Sequence, residues 1–257
     1  MNLIEEIRDY VASHIAGFHD ARLRKLDTLK LKDLLKKKNP YLYKARDLNT
    51  PQEIVEAIAA AFMSSAEETM FGDWLEQLAI HVASLVYGGT KSTSEGIDLE
   101  MDKDGTHYVV SIKSGPKWSN SSSRKKMIDN FARAKRVYRT SGNRLPCEAI
   151  EGCCYGIDNN PDKTTHLKLC GQRFWEFISG SPRLYIDIIE PLGTDARRHN
   201  DEYDARYKKM ITRFSRDFAN MYCADDGTVR WNRIVELNSG ADIQRQTDIE
   251  QYTPRGC

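Results

Sequence analysis

The dipeptide Asp104-Gly105, set between two stretches of alternating hydrophobicity, constrains this chain more than any other feature of its sequence. A two-residue Asp-Gly loop favours positive φ at both positions, closes a tight antiparallel hairpin and fixes its register. Upstream, EGIDLEM alternates Ile97, Leu99 and Met101 with Asp98 and Glu100; downstream, THYVVSIKS alternates Tyr108, Val110 and Ile112 with Val109, Ser111 and Lys113. The turn pairs Lys103 with Thr106, hence Met101 with Tyr108, Leu99 with Val110 and Ile97 with Ile112, all apolar on one face. On the other face Asp98 falls opposite Ser111, with Lys113 diagonal to it near Gly96, so an acid and a lysine converge on one polar edge.

Helical spacing covers most of the remainder. Residues 1 to 38 read as one helix carrying Leu3, Ile7, Val11 and Ile15, then a basic helical stretch LKLKDLLKKK that closes at Asn39-Pro40. A second helix is expected from Thr50-Pro51 to about Met63. Ser65-Ala66-Glu67-Glu68 has the form of a capping box, which would start a further helix running to Tyr87. That helix carries an apolar stripe through Phe71, Leu75, Leu78 and Val82; on a second face, about 140° round, Gly72, Ala79 and Ala83 frame Glu76. Small residues there would let another element approach one acid closely. Downstream, MIDNFARAKRVYR reads as a basic amphipathic helix, CEAIEGCCYGI as a strand, and GQRFWEFISG opens a helical C-terminal third. The polar segment 241–257 is expected to be a flexible tail.

Composition excludes several classes. No run approaches the roughly 18 consecutive apolar residues of a membrane helix, and MNLIEEIRDY lacks the layout of a signal peptide, so the cytoplasm is the expected compartment. The six cysteines (Cys147, Cys153, Cys154, Cys170, Cys223 and Cys257) form no CxxC pair and read as reduced, buried small hydrophobes. A zinc site from Cys153, Cys154, Cys170 and His166 would need adjacent cysteines as ligands, which tetrahedral geometry disfavours. His14 and His19, five residues apart, do not share a helical face. No GxGxxG, GxxxxGK[ST] or GxSxG motif is present, so neither a nucleotide cofactor nor a serine-hydrolase elbow is indicated. The net charge of +1 says nothing about nucleic acid, but Lys113 to Arg144 holds ten Lys or Arg against one acid, Asp129.

Hydrolysis of a phosphodiester needs charge neutralised on the phosphate and a hydroxide-like nucleophile. Magnesium supplies both, and takes one or two carboxylates beside waters and phosphate oxygens. Asp98 is the expected principal ligand, with the Ile112 backbone carbonyl as a second oxygen and Glu76 holding the ion directly or through water; Lys113 would orient the attacking water and Ser111 position water or phosphate. Taken singly, an Asp on a hairpin face is more often merely solvated and Glu76 would be a surface acid. Their coincidence with a following basic segment is what points to a nuclease.

An acid on a helix, then GID, then SIK after a hairpin resembles the PD-(D/E)XK nuclease core. More specifically, KKKNPYLYKA (36–45), SSAEETMFGDWLEQLA (64–79), EGIDLE, VVSIKSGPKWSN (109–120) and CGQRFWEFISG (170–180) resemble the PmeII-type family of type II restriction endonucleases. The resemblance implies an α/β fold: a mixed central sheet flanked by helices at 64–180, with helical additions at 1–63 and 181–240. It implies magnesium-dependent cleavage of double-stranded DNA by a homodimer, one active site for each strand. Ser111 stands where the superfamily usually has a second acid; the substitutes, in order, are Glu76, Glu100 and Asp129. Lys117, Trp118, Asn120, Arg124, Lys125 and Lys126 follow the catalytic strand and would clamp phosphates. A repair or recombination nuclease of the same superfamily, or a DNA-binding protein on a degenerate nuclease fold, shares these features.

Overall fold

The computed structural model describes residues 3–240; the segment 241–257, expected as a tail, lies outside the described residues. In chain order the elements are α1 (Leu3–Thr28), α2 (Leu31–Lys37), α3 (Pro40–Ala45), α4 (Pro51–Tyr87), β1 (Thr90–Lys91), β2 (Leu99–Lys103), β3 (Thr106–Lys113), α5 (Ser121–Thr140), β4 (Cys147–Cys153), β5 (Leu167–Cys170), α6 (Gln172–Ser179), α7 (Leu184–Asp187), α8 (Ile189–Leu192), α9 (Ala196–Tyr222) and α10 (Trp231–Ser239). Among the described residues two compact units result, one from 3–19 and 68–196, the other from 20–67 and 197–240. The second unit is discontinuous in sequence because helical residues before Glu67 share a core with those after Arg197.

The first unit is built on a mixed sheet in the order β1-β2-β3-β4-β5, as expected for a restriction-endonuclease-like core. β1, β2 and β3 are antiparallel neighbours, whereas β4 and β5 run parallel to β3. The parallel step from β3 to β4 requires a crossover, which α5 provides. Asp104 and Gly105 have φ of 50° and 73°, and the register Lys103↔Thr106, Met101↔Tyr108, Leu99↔Val110 is the one the turn dictates.

Both faces of the sheet are covered. On one, Leu99, Met101, Val110, Ile112 and Ile150 meet Leu78 and Val82 of α4 and Phe174, Trp175 and Ile178 of α6. On the other, Val109, Cys147 and Ala149 meet Met127, Phe131 and Ala134 of α5. Each fully buried large aliphatic or aromatic side chain here contributes roughly 1.5–3 kcal/mol. Ile97 departs from the expected pairing. It packs in the α5 cluster with Val109, while Ile112 packs on the α4 side, because the β2 ladder ends at Leu99.

The second unit buries Leu26, Leu34, Leu35, Ile54 and Val55 against Met210, Phe214, Phe218 and Ile234. The Asn238 side-chain amide donates to the carbonyls of Leu35, Lys36 and Lys38, closing the C-terminal end of α2.

The break expected at Ser65 is absent, since α4 runs unbroken for 37 residues. Ser65 Oγ donates to the Ala61 carbonyl at 3.0 Å, so the hydroxyl bonds back into the helix instead of capping a new one. The reciprocal capping box occurs one helix start earlier: Thr50 Oγ1 donates to Glu53 Oε2 at 2.8 Å, and Glu53 N donates to Thr50 Oγ1 at 3.3 Å. No described helix is long and apolar enough to cross a membrane.

On β4, a Cβ at Gly152 would overlap the ring of Phe174, which is itself fully buried. Gly152→Ala is therefore expected to lower stability by about 1–3 kcal/mol in urea titration, with the slope of the transition unchanged.

Candidate active site

Asp98 reaches the site through its backbone. Gly96 holds a φ of 73° and lies so close to Asn130 of α5 that a Cβ there would overlap the Asn130 amide. Glycine thus lets the chain turn tightly under α5 before β2. Ile97 N donates to the Ser94 carbonyl at 3.1 Å and Asp98 N to the Val110 carbonyl at 2.9 Å. The Asp98 side chain then takes the place of a further ladder bond, with Oδ2 accepting from Ile112 N at 2.6 Å. Ser111 Oγ and Lys113 Nζ each donate to the same oxygen at 3.4 Å. Among the described residues Oδ1 accepts no hydrogen bond.

Lys113 closes β3 and turns back over its own strand, donating to the Ile112 carbonyl at 2.7 Å. Glu76, from α4, pairs with Lys91 at 3.8 Å and feels the charges of Asp98 and Lys113. Burial, then the Asp98 carboxylate, raises its pKa above the usual range, against the pull of Lys91 and Lys113. Of the small residues around Glu76, Gly72 faces Ser114, where a Cβ would make ordinary contact at 3.4 Å. Glu76, Asp98, Ser111, Ile112 and Lys113 are therefore brought together at the end of the β2–β3 hairpin remote from its turn.

Ser111 is only 1% exposed and braces Asp98 from beneath, so its hydroxyl is not offered to solvent. Of the other acids, Glu100 bonds to Ser92 Oγ and approaches His107 Nε2 at 3.4 Å, which directs it to β1 and the opposite end of the hairpin. Asp129 lies exposed on α5, beside a hollow lined by Glu95, Lys126, Asn130, Arg133 and Arg136. Neither joins the Asp98 cluster.

The basic segment divides. Lys117, Arg124 and Lys125 are exposed and form no side-chain pair among the described residues, while exposed Lys126 pairs with Glu95 at 3.2 Å. Asn120 caps α5, its Oδ1 accepting from Ser123 N at 2.9 Å. Trp118 is half-buried against the α5 cluster; its indole N–H donates to Glu151 Oε1 at 2.8 Å, and its ring centroid lies 5.3 Å from Lys113 Nζ.

Glu151 escaped the sequence reading. It is 3% exposed on β4, in register with Ser111, and its carboxylate meets Lys168 Nζ at 2.7 Å and His166 Nε2 at 3.2 Å. Burial acts to raise its pKa, but hydrogen bonds from His166, Lys168 and Trp118 outweigh it and hold the carboxyl at about 2. The zinc set does not assemble: His166 serves Glu151, Cys154 lies in the α4-side core, and among the described residues no three His, Cys, Asp or Glu side chains are disposed to hold a metal. A site of two carboxylates and a carbonyl falls below that count. Its donors are nonetheless hard oxygens, with the Asp98 charge close enough to add to the cost of ionising Glu76, which is the donor chemistry of a magnesium site.

Comparison with known families decides the class. The family model of the type II restriction endonuclease EcoO109I matches residues 5–200. The chain belongs to that family. It is an endodeoxyribonuclease family of the PD-(D/E)XK superfamily, as the resemblance implied. No curated protein matches the chain significantly. The span 5–200 takes in Glu76, Asp98, Lys113 and Glu151 alike.

Because Glu151 is held near 2 in the folded chain and titrates near the ordinary carboxylate value when unfolded, its ionised form stabilises the fold fully above about 4.5. That stabilisation is lost as pH falls towards 2. The stability difference between the wild type and Glu151→Gln is expected to narrow steadily over that interval in denaturant titrations. A difference that stays constant from pH 5 to pH 2.5 would contradict the assignment.

Proposed function

We propose that this chain is a site-specific type II restriction endonuclease, acting in the cytoplasm as a homodimer that hydrolyses both strands of double-stranded DNA with magnesium. The observation that carries the reading is the convergence of Asp98, Glu76 and the Lys113 ammonium on the end of the hairpin, in a chain of the EcoO109I family. Asp98 Oδ1, the Ile112 carbonyl and Glu76 would hold the ion. Bound there, magnesium would offset charge on the scissile phosphate and favour ionisation of the attacking water.

The remaining work falls to the chain's own groups. The Ile112 N–H and Ser111 hydroxyl fix Asp98 Oδ2, so the carboxylate is oriented before any substrate arrives. Lys113 Nζ now occupies the Ile112 carbonyl and must release it, after which its three donors can serve the attacking water and a non-bridging phosphate oxygen. Glu76, part-buried on α4 beside Asp98, would complete the ion's oxygen ligands directly or through a water. Lys117, Arg124 and Lys125, exposed beyond the end of β3, supply cations for the DNA backbone on either side of the cut. Two copies related by a two-fold axis would address the two strands of a palindromic site.

Incubation with unmethylated plasmid and phage DNAs should give discrete bands with magnesium and none with EDTA. Lys113→Ala should fold normally by circular dichroism and lose activity by about 100-fold or more. A smear, metal-independent cutting, or full activity in Lys113→Ala would each overturn the assignment.

A further inference from the structure

Three strands place a row of polar side chains on the α5 face of the sheet. Ser111 of β3 is in register with Glu151 of β4, and Glu151 with Lys168 of β5; Asp98 lies just ahead of β2 beside Ser111. Glu151 and Lys168 are 3% and 6% exposed. A buried ion pair is seldom more stabilising than apolar side chains of the same volume, so its retention calls for a reason in what its geometry fixes.

That geometry is directed at the loop following β3. Lys168 Nζ donates to the Pro116 carbonyl at 2.9 Å, and Glu151 Oε1 accepts from the Trp118 indole at 2.8 Å. The same pair therefore holds the loop at two points, two residues apart. Packing from the next loop adds to this: a Cβ at Gly115 would overlap Tyr155, and one at Gly156 would lie 2.6 Å from Cδ of Pro116. The side chain so fixed has its ring over the Lys113 ammonium. An indole face favours a cation placed on it and restricts where that cation can sit.

We infer that the buried Glu151–Lys168 pair is a positioning device for Lys113, pinning the 114–120 loop so that Trp118 sets the place of the ammonium. Glu151 does not stand in for the acid missing at Ser111, because both of its oxygens are engaged, Oε1 by Trp118 and Lys168 and Oε2 by His166. The inference rests on the proposed role of Lys113 in phosphodiester cleavage.

Trp118→Leu removes the ring and its anchor, Trp118→Phe keeps a ring, and the double variant Glu151→Gln with Lys168→Gln removes both charges without leaving one buried alone. With folding checked by circular dichroism, steady-state cleavage of an oligonucleotide duplex is expected to show kcat lowered about 10- to 100-fold in Trp118→Leu and in the double variant, with KM within about 2-fold. Trp118→Phe, which keeps a ring but loses the indole donor to Glu151, should recover only part of kcat. Hydrogen exchange should quicken across 114–120 in the double variant while β4 stays protected. Unchanged kcat in folded Trp118→Leu, or a rise in KM at constant kcat, would overturn the inference. Should the double variant not fold, Trp118→Leu and Trp118→Phe decide it. Absence of cleavage by the wild type would instead count against the nuclease reading, and the exchange measurement would still show whether the pair pins the loop.

Discussion

The hydrogen bond from Ile112 N to Asp98 Oδ2, 2.6 Å long, is the contact on which the site depends. A backbone donor inside a sheet must find an acceptor, and here a side chain supplies it where a partner strand would otherwise continue. The substitution ends β2 at Leu99, orients the carboxylate towards β3 and sends Ile97 to the other side of the sheet. One bond thus converts the end of a hairpin into a rigid mount for an acid, with the Lys113 ammonium drawn to the same oxygen. Gly96 is a condition of this arrangement, since its φ of 73° disfavours a side chain and a Cβ there would overlap the Asn130 amide.

Coverage of the sheet on both faces governs what each polar residue can do. On a half-solvated hairpin, Ser111 would be a surface hydroxyl and the alternation of Val109 and Ser111 a solvent face. With α5 laid across it, that face is interior, and Ser111 becomes a brace for Asp98. Enclosure also explains why Glu151 needs three nitrogen donors: a carboxylate at such depth is tolerated only with its lone pairs satisfied.

Local features were legible in the sequence where chemistry acts over a few residues. The Asp104-Gly105 turn dictated the register from Lys103 to Val110, and the spacing of Gly72, Ala79 and Ala83 marked the face of Glu76 that the structure turns towards Asp98. What was not legible depends on partners distant in sequence. Ser65 looks like a cap until the continuous helix shows its hydroxyl bonded to Ala61. Trp118 and Asn120 belong to a basic segment, yet one is held by Glu151 and the other by the start of α5. β5, four residues long, has too short a pattern to stand out. Glu151 carried one usable signal, an acid within the apolar strand CEAIEGC; such a strand is buried on both faces when flanked by parallel neighbours, so its acid must be paired.

The serine at position 111 follows from the same burial. A carboxylate there would stand next to Glu151 in the parallel register, on the same face, and 1% exposed. Glu151 and the Pro116 carbonyl already take two of the three Lys168 donors, so a second buried anion would have to share that cation or be protonated. A hydroxyl satisfies Asp98 without adding charge. On the open side of the hairpin, where Lys91 and Lys113 temper an acid and solvent still reaches it, the fold places Glu76 of α4, the residue we propose as the second acid.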